Sequence, residues 1–360
     1  MSELYIGVMS GTSLDGIDVA LCEIDSQNCR LISADEYPFD KELKREILDV
    51  IGGITTLKQV GTIDKKLGLA FAHAINRFIR EKEIKRENIT AIGLHGQTLW
   101  HETQGEFPFS MQLGDASTVV VRTLIKVVSD FRSMDVANGG QGAPFAPAFH
   151  QEIFKDLKER VAVLNIGGMA NITLLGEELQ GWDTGCGNVL LDMWIQQSKN
   201  LPFDRDGEFA QRGEINQELL NAMLSDDYFK KTPPKSTGRE YFNDTWFASH
   251  LPIFNSIEDK DIQRTLLELT AQTISNDVKK SNTKLLIVCG GGANNSFLMQ
   301  RISELCETEV KKSDEFGISS EFMEAMAFAW LAYKRVHNQE VELSSVTGAS
   351  KDSILGGIYG

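Results

Sequence analysis

Cysteine is scarce: Cys22, Cys29, Cys186, Cys289 and Cys306 make five in 360 residues, an odd number with no C-x-x-C pair. That excludes a zinc ribbon and a disulfide framework, and it fits a reducing cytoplasm. Proline is thin as well, eight residues scattered along the chain, and no segment is of low complexity. Positive charge is in deficit, 36 Lys and Arg against 51 Asp and Glu, which leaves a net charge of -15 and no basic patch. A field of that sign repels nucleic acid and anionic membrane. No apolar run reaches the roughly 18 residues that a membrane span needs. The start MSELYIGVMSGTSLDG lacks the basic n-region of a signal peptide. Two nucleotide signatures are missing too. Without G-x-x-x-x-G-K-[ST] there is no P-loop, and without G-x-G-x-x-G there is no dinucleotide fingerprint.

What is present is ample apolar material, 42% of the residues, in a chain about twice the length of a typical domain, so two lobes are expected. Leu4 to Met9 reads as a strand, Gly11 to Gly16 as a turn and Ile17 to Ile24 as a return strand. Residues 40–83 carry helical apolar spacing, with Leu67, Leu69, Ala70, Ala74, Ile75 and Phe78 on the expected face. Ile89 to Leu94 and Lys126 to Ser129 read as buried strands that end in His95-Gly96-Gln97-Thr98 and Asp130-Phe131-Arg132. Ligands usually sit at such strand ends in α/β sheets. After the Gly-rich loop 138–144 the plan repeats. Val161 to Ile166 is a strand, Gly167-Gly168-Met169-Ala170 a tight turn and Asn171 to Leu175 a return strand. Helices about 187–198 and 262–280, a strand from Leu285 to Cys289 and a helix about 320–335 follow. A repeated hairpin unit suggests two similar lobes facing each other across a cleft, divided as residues 1–145 and 146–360.

Three glycine turns could carry chemistry. The tip Gly11-Thr12-Ser13-Leu14-Asp15-Gly16-Ile17-Asp18 has the glycines, turn N–H groups and hydroxyls that a triphosphate cradle needs, and it also reads as an ordinary hairpin. Gly167-Gly168 with Asn171 leads on to Asp183-Thr184-Gly185-Cys186-Gly187-Asn188. There Asp183 is either a general base beside helix N-terminal donors or that helix's N-cap. Gly290-Gly291-Gly292-Ala293-Asn294 lies between a strand and a helix, as a nucleotide site or as a plain tight βα loop. His95, Gln97, Thr98, Arg132 and Glu324 are weaker alone; a glutamate heading the apolar stretch to Trp330 is costly unless it binds something polar, and it also reads more simply as an acidic residue of the helix's first turn. Cys186 has no histidine near it in sequence, which speaks against a nucleophile.

The order of the three turns is similar to the two phosphate motifs and the adenosine motif of the actin, hexokinase and Hsp70 ATPase superfamily. Within it, residues 7–18, 93–98, 165–171 and 183–188, and the chain as far as Glu324-Ala325-Met326-Ala327-Phe328-Ala329, closely resemble the anhydro-N-acetylmuramic acid kinase family. Cys186 stands where that family usually has proline.

The resemblance implies an α/β fold of two ribonuclease-H-like lobes across a cleft. It implies an ATP- and Mg²⁺-dependent enzyme of cell-wall recycling that opens 1,6-anhydro-N-acetylmuramic acid with water and phosphorylates O6. ATP would be held by Gly11 to Asp18, Gly167, Gly168, Asn171, Gly290, Gly291, Gly292 and Asn294. Asp183 would be the base, and Gln97, Thr98, Arg132 and Glu324 would meet the sugar. A cytoplasmic homodimer is implied as well. The competing readings are a sugar kinase without ring opening, a nucleotide-gated ATPase that phosphorylates nothing and an ATP-independent glycosidase.

Overall fold

A computed structural model describes residues 2–11, 14, 16–53, 55–103, 105–177, 179–233, 235–239, 241–250 and 257–360. The chain divides into two compact units, residues 1–153 with 322–360, and residues 154–321.

In the first unit the apolar run after Glu3 forms β1 (Glu3–Met9), which turns back antiparallel into β2 (Gly16–Ile24) and β3 (Cys29–Pro38). On the other side of β1, β4 (Ile89–Leu94) and β7 (Val127–Ser129) join in parallel, and β13 (Gly357–Tyr359) pairs antiparallel with β7. A separate ribbon holds β5 (Gln97–Glu102) and β6 (Phe109–Leu113). Ile6, Val8, Val19 and Leu21 pack with Leu67, Phe71, Ile75 and Phe78 of the Leu57–Glu81 helix. Those four helix residues recur at steps of four, four and three, one face of a 3.6-residue period. Leu69, expected on that face, is exposed. Thr56 and Gln59 close the helix start with a capping box.

By strand alternation Gly7 lies on the opposite face from Ile6 and Val8, and it pairs in register with Gly93 of β4. A Cβ on Gly7 would collide with the Ala325 carbonyl oxygen, and one on Gly93 with that of Phe328. The two glycines therefore form the floor on which the helix Met323–Val336 lies. That helix is apolar nearly all round, with Met323 and Ala325 to Tyr333 buried, and such a helix must be covered on every side. Its packing corrects the linear division at 145/146. Residues 322–360 return to the first unit, a long-range pairing that no shift in local composition marks.

The second unit has β8 (Val161–Ile166), β9 (Met169–Leu174) and β10 (Gln180–Cys186) as an antiparallel series, with β11 (Leu285–Cys289) and β12 (Glu309–Lys312) parallel to β8 on its other side. The orders β3-β2-β1-β4-β7 and β10-β9-β8-β11-β12 are the same, in the same senses. This is the ribonuclease-H-like topology used twice, the duplication on which the actin, hexokinase and Hsp70 ATPase fold is built. The Val189–Lys199 and Asp259–Lys280 helices supply Leu190, Ile195, Leu266, Leu267 and Ile274 to the second core. Asp259 and Asp261 open the longer helix and Lys279 and Lys280 end it, each complementing the helix dipole. Among the described residues no helix is long and apolar enough to cross a membrane.

Candidate active site

The tip of the first hairpin is tied down from below. Gly11 accepts the Leu14 N–H at 3.2 Å. Leu14 holds φ at 55° and is fully buried. A bulky residue in the left-handed region is strained and persists only where packing over-determines it. Leu14 and Ile17 both send their side chains into the core, so these two could meet a phosphate through backbone alone, a narrower role than expected of them. A Cβ on Gly16 would meet the side chain of Glu36, an exposed and flexible neighbour rather than backbone, so packing alone does not require glycine there. Thr12, Ser13 and Asp15 lie outside the described residues.

Gln97, expected against the sugar, is fully buried beneath this tip. Its Oε1 accepts from Ser10 Oγ, and its Nε2 donates to the Gly11 carbonyl at 3.4 Å and the Thr98 carbonyl at 3.3 Å. Those bonds make it a support of the hairpin. Thr98 is half-buried and accepts from Gln112 Nε2 at 3.2 Å.

In the second unit, Asn165 on β8, Asn171 on β9 and Asp183 on β10 stand directly opposite one another. Opposed residues share a face of the sheet, so the three form one polar row. The first unit carries Met9, Asp18 and Glu36 at the same level of β1, β2 and β3. Asp183 lies inside β10, while the next helix begins at Val189 with Asn188 as its N-cap. The capping role is thereby excluded. Asp183 donates its N–H to the Lys235 carbonyl at 3.0 Å, its Oδ2 accepts the Thr237 N–H at 2.9 Å and its carbonyl accepts the Tyr228 hydroxyl at 2.7 Å.

The donors expected from the helix start are already engaged. The N–H groups of Gly187, Asn188 and Val189 donate to the carbonyls of Gly168, Gly167 and Gly168 at 2.9, 2.8 and 3.1 Å. The helix thus pins the second turn instead of presenting those groups to a phosphate. Packing within the fold does not require glycine at the turn itself. A Cβ on Gly167 would meet nothing nearer than the Met169 carbonyl oxygen at 3.6 Å, and one on Gly168 would meet the Arg239 guanidinium at 3.4 Å. Neither residue has a positive φ. The space over Gly167 can admit a ligand. Arg239, which the sequence reading missed, lies over Gly168 from a segment distant along the chain. Cys186 is buried at the end of β10, and burial pushes its thiol up to about 12, so it is no nucleophile.

The third turn borders a cavity of 560 Å³ lined by Asn188, Phe203, Arg205, Asp206, Gly291 and Asn294, among others. That size suits a nucleoside. Gly291 has open space beside it, but Gly290 and Gly292 are glycine for packing, because a Cβ would collide with the Asn165 side chain at the first and with Ile166 at the second. The sequence reading found Gly291 and Asn294 and missed Phe203, Arg205 and Asp206, which precede them by nearly ninety residues.

The first unit also gathers His95, Arg132 and Glu324. Arg132 donates Nη1–H to the Gly142 carbonyl at 2.6 Å and Nη2–H to His95 Nε2 at 2.9 Å, with Phe145 4.9 Å from its guanidinium. A guanidinium has no acceptor, so His95 Nε2 carries the lone pair and the ring is neutral. Burial, and then the Arg132 charge, hold His95 well below its usual range. Burial lowers Arg132 to about 10, which leaves it charged at neutral pH. Glu324 is in the first turn of its helix and open to solvent. The protein crowding it raises its carboxyl above the ordinary range, and the Arg132 charge opposes that rise. A neutral imidazole, a fixed cation and a carboxylate together suit a neutral or anionic polyhydroxylated ligand.

Residues 3–360 match the family model described as anhydro-N-acetylmuramic acid kinase. The chain belongs to that family. A protein of Sulfurimonas denitrificans (strain ATCC 33889 / DSM 1251) named anhydro-N-acetylmuramic acid kinase is 58% identical over 367 residues, covering 100% of each chain. One of the same name from Sulfurovum sp. (strain NBC37-1) is 55% identical over 360 residues, covering 99% of each. A solved structure, component A of the Acidaminococcus fermentans (R)-2-hydroxyglutaryl-CoA dehydratase, is similar at TM-score 0.49 and 12% identity, over 93% of this chain and 99% of that one. The fold of this family member rests on its own two strand orders rather than on that likeness.

Proposed function

We propose that the chain is an ATP-dependent kinase of cell-wall recycling that converts 1,6-anhydro-N-acetylmuramic acid, ATP and water into N-acetylmuramic acid 6-phosphate and ADP. The observation that carries the chemistry is Asp183, set in a strand rather than at a helix cap, with one oxygen held by the Thr237 N–H. Asp183 takes a proton from water as general base. The water oxygen bonds to the anomeric carbon, the bond from that carbon to O6 breaks, and O6 bonds to the γ-phosphorus as the bond to the ADP oxygen breaks. In this reading the cavity beside Gly291 and Asn294 takes the adenosine. The Gly11 and Gly167 turns meet the phosphates, and Arg132 and Glu324 hold the sugar, with Thr98 near them.

Mg²⁺ fits the charge at the first hairpin. Asp18 is a half-buried carboxylate at the start of β2, and Mg²⁺ prefers one or two carboxylates together with phosphates and water over an all-protein cage. Asp18 would hold it, and its charge would offset that of the phosphates. A homodimer and a cytoplasmic address, implied by the resemblance, complete the reading, and sedimentation velocity checks the first. The deciding experiment measures ADP release with the anhydro sugar, N-acetylmuramic acid and simple hexoses, in ¹⁸O-water. Label in the hemiacetal of the product is expected. Turnover without label makes the chain a sugar kinase that opens no ring, and turnover without ATP makes it a glycosidase.

A further inference from the structure

Asp183 is held by a buried charge pair that the chemistry above does not use. Lys235 and Asp277 meet at 3.2 Å with side chains only 3% and 6% exposed. Asp277, in the Asp259–Lys280 helix, also accepts the Trp182 indole N–H at 2.9 Å and faces the exposed Lys280 at 3.5 Å. Trp182 is the residue before Asp183 on β10, and the Lys235 carbonyl is the acceptor for the Asp183 N–H. Two residues past Lys235, Thr237 donates to the Asp183 carboxylate. The Lys235 ammonium lies 5.2 Å from the ring of Tyr228, whose hydroxyl bonds the Asp183 carbonyl. One helix carboxylate thus grips the strand beside Asp183 and the segment that supplies two of its hydrogen-bond partners.

A buried ion pair is a poor source of stability, because desolvation offsets most of the attraction, and apolar residues of similar volume often do as well. What it supplies here is direction. We infer that Lys235 and Asp277 are positioning residues for the Asp183 carboxylate, fixing the 235–237 segment against β10 so that Oδ2 is held and the carboxylate keeps one orientation. The inference rests on Asp183 being the base.

The test is Lys235→Met, which keeps the aliphatic stem and removes the charge, assayed in the full chain with ATP and the anhydro sugar. A base displaced by a fraction of an ångström to 1 Å costs about 10–100-fold in kcat, with both KM values within about threefold of the parent. In an Asp183→Asn background the same change should leave the residual kcat unmoved. Equal losses with and without Asp183, or a lowered Tm with kcat intact, would overturn the inference. Should Lys235→Met fail to fold, Trp182→Phe removes the indole N–H donor to Asp277 while keeping an aromatic ring at that position. It should lower kcat by roughly three- to tenfold at unchanged KM, and an unchanged kcat overturns the inference as well. The two ideas fail differently. If Asp183→Asn keeps its kcat, the base and this inference fall together, whereas a crippled Asp183→Asn beside an unaffected Lys235→Met sinks the positioning role only.

Discussion

Removing the charge of Asp183 while keeping its shape separates chemistry from architecture. An asparagine still accepts the Thr237 N–H through its side-chain oxygen, so Asp183→Asn should unfold within about 1 kcal/mol of the parent. It should nevertheless lose about 10²–10⁴ in kcat, because an amide takes no proton from water. Thermal unfolding and steady-state rates on one preparation check both halves. Arg132→Ala should chiefly raise the KM for sugar and leave ATP affinity alone, and calorimetry with each ligand shows which side of the reaction it serves. Glu324 gives a pH signature. Crowding raises its carboxyl, so above the ordinary value of about 4.3 the folded protein keeps a proton that the unfolded chain has released. Stability from this group declines as pH rises through the window up to its raised value, then levels off. Glu324→Gln should match the parent Tm in acid and exceed it at neutral pH while binding sugar less well. A neutral-pH Tm below the parent's would mean that Glu324 serves the fold.

Among the elements, the glycines fall into two kinds. Gly7→Ala or Gly93→Ala drives a methyl into a helix carbonyl and should cost at least the roughly 1–3 kcal/mol of overpacking, read as a lower denaturant midpoint. Gly167→Ala meets only the Met169 carbonyl oxygen, at an ordinary contact distance of 3.6 Å, so it should fold like the parent and bind ATP more weakly. An unchanged ATP affinity would return that turn to plain structure. This contrast was invisible in the sequence, where both kinds read alike. The central strands and the 57–81 helix were legible because each concentrates apolar residues at one period. β3 was not, since its polar edge residues blur the alternation, and neither was β12, whose Glu309-Val310-Lys311-Lys312 carries one apolar residue. Asp183 was found as a residue but not as part of a strand. Gly181, Gly185 and Gly187 surround it, and the ladder to Asn171 that extends β10 is a tertiary fact. The Lys235–Asp277 pair and the cavity residues 203–206 join positions far apart in the chain and leave no local mark.

At the level of the whole molecule, the two units differ in how the chain supplies them. Residues 154–321 are one unbroken segment with their own sheet and core, so that fragment should fold alone and unfold cooperatively. Residues 1–153 should not, because the helix covering Gly7 and Gly93 comes from beyond residue 321. Circular dichroism melts of both fragments test this, and a cooperative melt of 1–153 would show the returning helix to be dispensable. The same insertion sets an order of events during synthesis. A ribosome releases the N-terminal strands first, yet their sheet stays bare on one face until the last forty or so residues emerge, by which time the inserted unit has had its whole segment in solution. The half of the protein that is begun first is completed last, and through that interval Gly7 and Gly93 face outward on an uncovered apolar surface of the kind chaperones bind.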